Sequence, residues 1–149
     1  MIRRAVEAGE TVIACGGGGI PVIRDAEGNL QGTAAVIDKD LASAILAAEL
    51  GADAMMILTA IDRVRINFGK PGERALDRLT LDDARRYMKE GQFPPGSMGP
   101  KVHGAMLFLE QSRNPAASVI IGPLEQAADA VAGRVGTRIT RSDPGTRGD

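Results

Sequence analysis

Two lysines in this sequence stand where a cation has little structural reason to be. "IDKDLAS", residues 37–43, sets Lys39 between Asp38 and Asp40 at a strand-to-helix junction. Asp38 or Asp40 can cap the helix, but a cation at a helix N-terminus opposes the helix dipole. "GSMGPK", residues 96–101, repeats the arrangement with a glycine-rich loop, a proline and Lys101 opening a helix. Free backbone N–H groups beside a cation suit a phosphate. A third element is "ACGGGGIPV", residues 14–22, in which Gly16, Gly17, Gly18 and Gly19 follow directly on the apolar run Thr11–Ala14. Backbone without side chains can turn successive N–H groups toward an anion. Together these are parts for phosphoryl transfer between anions, where catalysis rests on positioning and charge neutralisation. Taken singly, the glycines also fit a tight turn with no ligand, and the acids fit plain helix caps.

Other chemistries find few residues. No Ser-His-Asp set stands out, and His103, the only histidine, sits one turn into a helix, a place that fits a surface residue rather than a catalyst. Cys15 is the only cysteine, which excludes an intrachain disulfide and suits a reducing cytoplasm. No Cys/His cluster with metal-ligand spacing is present, so a metal would be Mg²⁺ carried largely by phosphates. The lysine loop is not the P-loop pattern, because Pro100 precedes Lys101 and Val102 follows it. The glycine run leads into "IPV" rather than an amphipathic helix, unlike the dinucleotide fingerprint.

The elements that must position these residues alternate strand and helix. "IRRAVEAG" reads as the last two turns of an amphipathic helix stopped by Gly9, and a domain opening inside a helix is expected to lack what preceded it. Thr11–Ala14 reads as a short buried strand, and residues 24–32 as a turn whose flanks pair as a hairpin. Residues 38–51 form a helix with Leu41, Ala44, Ile45 and Ala48 on one face and Gly51 as its stop. Residues 52–60, "ADAMMILTA", are the most apolar stretch and read as a central strand buried on both faces. "RINF" and "ALDRLT" suggest peripheral strands around a turn at Gly69–Gly72. Thr80 caps a helix running to Gly91, and a further helix covers about Lys101 to Ser112. "SVIIG" is a buried strand, "PLEQAADAVAG" a helix with Pro at its start, and "GTRI" a last strand. Apolar strands alternating with helices predict a three-layer α/β/α sandwich with a mostly parallel sheet, and ligands in such folds sit beyond the carboxyl ends of the strands.

Composition agrees with one soluble domain. The 149 residues are 44% hydrophobic and 25% charged, and the net charge is −1, which argues against a nucleic-acid or anionic-membrane binder. Three phenylalanines, one tyrosine and no tryptophan argue against a stacking surface for single-stranded nucleic acid. No apolar run approaches the ~20 residues of a membrane span.

"VIACGGGGIPVI", "AVIDKDLAS", "ILTAIDRVRINFGKP", "EGQFPPGSMGPKV" and "GTRI" resemble, in order and spacing, the carbamate kinases of the amino acid kinase family. The resemblance runs to about Ile139 and corresponds to the family's carboxyl-terminal, nucleotide-holding half, the amino-terminal half being absent from this sequence. It implies reversible phosphoryl transfer between ATP and carbamate giving carbamoyl phosphate, with ATP/ADP and Mg²⁺, in a cytoplasmic homodimer of arginine metabolism. By this resemblance Gly16 to Gly19 would lie against the carbamate or carbamoyl group. Lys39 would contact the ATP phosphates, Asp40 would orient the lysines and Lys101 would stabilise the transferring phosphoryl group. Thr59, Ala60, Ile61 and Asp62, with Arg65 and with Ser97, Met98 and Gly99, would wrap the adenosine.

Two residues depart from the family. Ala60 stands where Asp or Gly is frequent, and Arg65 where an aromatic is frequent, although a guanidinium plane can also stack on adenine. The domain is expected to span 1–140, with 141–149 a disordered tail. Two alternatives remain: another acid kinase of the same fold, or a non-catalytic nucleotide-binding remnant.

Overall fold

The computed structural model describes residues 1–142. Its framework is a four-stranded sheet in the order β3 (Ala54–Thr59), β7 (Ser118–Pro123), β8 (Thr137–Thr140) and β6 (Arg78–Thr80). β3 runs parallel to β7 and β6 parallel to β8, while β7 and β8 meet antiparallel, so the sheet is mostly parallel with one reversed joint. Two antiparallel ribbons stand apart from it, β1 (Val22–Arg24) with β2 (Leu30–Gly32), and β4 (Val64–Ile66) with β5 (Arg74–Leu76).

Register decides which side chains meet. Met55 pairs with Val119 and Ile57 with Ile121, and Val119 and Ile121 pair with Ile139 and Thr137. All six are buried on one face. Val102, Ala105, Phe108 and Leu109 of α4 (Met98–Gln111) cover that face, with Ala44 and Ala48 of α2 (Lys39–Leu50) and Ala84 of α3 (Leu81–Lys89) in the same core. The opposite face carries Ile120, Arg138 and Arg78 and is covered by α5 (Ala127–Val131), whose Ala130 packs beside Gly122. Helix, sheet and helix thus form the three layers.

The helices begin where their caps dictate. Asp38 takes the cap of α2, its carboxylate accepting from the N–H groups of Asp40 at 2.7 Å and Leu41 at 3.2 Å. Thr80 Oγ1 accepts from Asp83 N–H at 3.1 Å to start α3. Gly51, at φ 76°, ends α2. α1 (Ile2–Glu7) buries no residue, and Arg3 donates to the carbonyl of Glu49.

Several expectations need correction. Thr11–Ala14 forms no strand and Ile13 is 98% exposed, because no described segment lies alongside to complete its hydrogen bonds. Residues 52–60 are buried on one face only. β3 pairs among the described residues with β7 alone, and Leu58 on its outer face is exposed. On α2 the small Ala44 and Ala48 enter the core while Ile45 stays exposed, since close helix contact leaves no room for a larger side chain. The α4 helix starts three residues early, at Met98. Arg141, the first residue of the expected tail, is held by the fold. Arg141 donates to the carbonyls of Leu109 at 2.9 Å, Asn114 at 2.7 Å and Ser112, closing the C-terminal end of α4. Residues 143–149 of that tail lie outside the described residues.

Candidate functional site

The N-terminal ends of α2 and α4 meet at one carboxylate. Asp40 Oδ2 accepts from Lys101 Nζ at 3.0 Å, and Asp40 Oδ1 accepts from Lys39 Nζ at 3.2 Å. The Asp40 and Lys101 side chains are 12% and 18% exposed, whereas Lys39 is 59% exposed. Burial pushes the Asp40 carboxyl up, but the hydrogen bonds and charges of Lys101 and Lys39 outweigh it and hold the group below the ordinary carboxylate range. Both ammonium groups share the Asp40 carboxylate, while the Asp38 carboxylate is engaged by the backbone N–H groups of Asp40 and Leu41. The dipole conflict seen in the sequence is met for Lys39 and Lys101 by Asp40, and the exposed ammonium of Lys39 keeps donors open to an anion.

The crossing that makes this possible is set by Gly104. A β-carbon there would stand 3.1 Å from the backbone oxygen of Asp40. Close approach of α4 to α2 at this point leaves Lys101, one turn earlier, level with the Asp40 carboxylate.

Beside Lys101 opens a cavity of about 470 Å³, lined by Thr59–Arg63, Arg65, Phe68, Pro94, Ser97, Met98 and Lys101. It lies beyond the carboxyl end of β3 and at the N-terminal end of α4, within the size range of small-molecule sites. The sequence singled out most of this wall. Thr59, Ala60, Ile61, Asp62, Arg65, Ser97, Met98 and Lys101 come together here. Lys39 and Gly99 do not line it; Gly99 instead packs on the turn before α4, its N–H donating to Pro94 O at 2.8 Å. Arg63, Phe68 and Pro94 were missed, although the exposed Phe68 in "INFGKP" was a signal, as a large apolar residue beside a predicted turn.

Arg65 is tied into the wall by two carboxylates. It donates to Asp62 at 3.2 Å and to Glu73 at 2.9 Å, and Glu73 also accepts from Gly69 N–H at 2.8 Å. The Glu73 and Asp62 bonds push the Arg65 pKa up. The Gly69 N–H and Arg65 hold Glu73 down, and Arg65 outweighs slight burial at Asp62 to lower that group too. Behind this ribbon, buried Thr137 accepts from Val64 N–H at 2.8 Å and donates to Leu76 O at 2.5 Å. One hydroxyl of β8 therefore fastens β4 to β5 under the cavity.

The glycine run does not line the cavity. Gly18 is buried at φ 84°, and a β-carbon on it would come 2.2 Å from the carbonyl oxygen of Ile37. Only glycine fits at that position. Gly16, Gly17 and Gly19 are exposed. The run thus packs against the segment that leads into Asp38, Lys39 and Asp40. His103 is exposed, and no group of three or more His, Cys, Asp or Glu that could hold a metal occurs among the described residues. No helix among them is long and apolar enough to cross a membrane.

A mostly parallel sheet between helical layers, with paired lysines at the starts of two helices, defines an α/β domain of the amino acid kinase type. The chain belongs to the amino acid kinase family, whose profile matches residues 1–121. It is similar to a carbamate kinase of Staphylococcus haemolyticus, 49% identical over 140 residues, which are 94% of this chain and 44% of that protein. It is likewise 50% identical over 139 residues to the carbamate kinase-like protein YqeA of Escherichia coli, covering 93% of this chain and 44% of YqeA. Among solved structures, carbamate kinase from Giardia lamblia bound to AMP-PNP superposes with a TM-score of 0.87 at 40% identity, over 95% of this chain and 48% of the other. The chain therefore spans about 44% of the length of the curated relatives it matches.

Proposed function

We propose that this chain carries the nucleotide-handling site of a carbamate kinase-like phosphotransferase, for the reaction ATP + carbamate ⇌ ADP + carbamoyl phosphate. The observation that carries the reading is the Lys39–Asp40–Lys101 bridge standing at the edge of a cavity of about 470 Å³. ATP fits it on chemical grounds: Ile61, Phe68, Pro94 and Met98 offer apolar surface to a base, and Lys101 offers a cation to the phosphates. Support comes also from the AMP-PNP in the Giardia carbamate kinase structure. Mg²⁺ would ride on the phosphates, because the Asp40 carboxylate is already engaged by two lysines.

The transfer is direct, a carbamate oxygen forming its bond to the γ-phosphorus as the bond to the bridging oxygen breaks, and ADP takes the released electron pair. Lys101 neutralises the charge that spreads over the transferring group, and Lys39 holds the neighbouring phosphates. Asp40 keeps both ammonium groups aimed and is a positioning residue. Gly16, Gly17 and Gly19, exposed beside the segment that leads into Lys39, would face the acceptor. The same reading makes the protein a cytoplasmic homodimer.

The test is ATP formation from carbamoyl phosphate and ADP, followed by luminescence, with Lys101→Ala alongside. Loss of a charge-assisted bond made in the transition state, ~1.5–3 kcal/mol, should lower turnover by about tenfold to a hundredfold and ADP affinity far less. Equal losses in both would mean that Lys101 only binds. A second reading, nucleotide binding without turnover, is favoured by the glycine run standing off the cavity. ADP binding with no ATP formed would select it.

A further inference from the structure

On the α5 side of the sheet, under the loop between α5 and β8, lies a second cavity of about 350 Å³. Arg63, Arg78 and Arg138 line it with Asp77, beside Gly133 and Gly136. Among the described residues Asp77 is the only carboxylate in this lining, and its Oδ1 lies 2.6 Å from the buried Nε of Arg63. Three guanidinium groups less one carboxylate leave two positive charges without a counter-ion in the wall.

Those two charges are held close together by the sheet. Arg78 and Arg138 are register partners on the parallel strands β6 and β8, so both side chains leave the same face, side by side. Like charges directly opposite across strands are unfavourable. Arg138 donates to Ser118 Oγ at 2.9 Å and to Val131 O at 3.4 Å, neutral acceptors that orient the guanidinium and leave its charge uncompensated. Arg134, in the same loop, is by contrast paired with Asp129. Adjacent guanidinium groups present N–H forks that match phosphate oxygens, and the cavity is large enough for a small ligand.

We propose that this cavity binds a small phosphorylated molecule, with Arg78 and Arg138 holding its phosphate. The site does not depend on the function proposed above. It shares only Arg63 with the first cavity, so the two can be read separately.

Titration of the ¹⁵N-labelled chain with inorganic pyrophosphate, followed by amide resonances, tests it. Saturable shifts are expected at Gly133, Val135, Gly136 and Arg138, distinct from any at residues 97–101. Arg78→Gln, at an exposed position that need not disturb folding, should weaken that binding by about tenfold or more while leaving shifts at 97–101 unchanged. Arg138→Gln should do the same, with the retained spread of resonances reporting an intact fold. Shifts confined to 97–101, shifts at the loop that do not saturate, or unchanged loop affinity in Arg78→Gln would each overturn the proposal.

Discussion

Gly104 of α4 lies so close to Asp40 of α2 that a β-carbon on it would stand 3.1 Å from the Asp40 carbonyl oxygen. The obstacle is backbone, which cannot swing aside as a long side chain can. Gly104→Val should therefore part the two helices and destabilise the chain by about 1–3 kcal/mol, the cost of overpacking a filled contact. Thermal unfolding of the variant gives the figure. A melting temperature equal to that of the parent would mean that the crossing has slack and does not set the site.

Asp40→Asn should cost about 1–3 kcal/mol of stability near neutral pH, because Lys101, largely buried, loses its charged acceptor. The effect has a predictable pH dependence. Pairing lowers the folded pKa of Asp40 below its ordinary value of 3.8, so its contribution is complete above 3.8 and fades as pH falls through the lower, folded value. Denaturant unfolding of both proteins across that range should show their curves converging in acid. A gap that persists at the lowest pH would assign the stabilisation to something other than the ionised carboxylate.

Thr137→Val keeps the shape of a fully buried side chain and removes its hydroxyl. Val64 N–H and Leu76 O would then be buried without that partner, which should cost about 2–3 kcal/mol. The ribbon they belong to carries Arg65 and leads to Phe68, so nucleotide affinity should fall as well. Amide exchange at Val64 is the sensitive probe. Protection unchanged from the parent would show that the ribbon holds itself in place.

The sequence was most readable where one residue's chemistry decides the local outcome. Asp38 and Thr80 cap helices, Gly51 ends one, and the turn at Gly69–Gly72 joins two strands, all through contacts within a few residues. The alternation of apolar strand and helix likewise carried the layered fold. What escaped depends on partners distant in sequence. Thr11–Ala14 has strand-like residues but no described neighbour to pair with, and β3 meets one neighbour among the described residues where two were expected. The reversal between β7 and β8 leaves no trace in either strand's pattern. Arg141 looks like the start of a polar tail until the three carbonyls it holds are brought to it by α4 and the following loop. In the site, Lys101 and Asp40 lie 61 residues apart and were matched by motif, whereas Arg63 and Pro94 reach the cavity only through the fold.

In the proposed function the cavity beside Lys101 receives the nucleotide, and calorimetric titration with ADP and Mg²⁺ measures that binding directly. The folded chain should release or absorb heat saturably at millimolar nucleotide or below. Ala60→Trp, at an exposed position in the cavity wall, should fill the space without disturbing the core and weaken binding by at least about tenfold. No heat from a chain shown to be folded, or equal affinity in Ala60→Trp, would contradict the account.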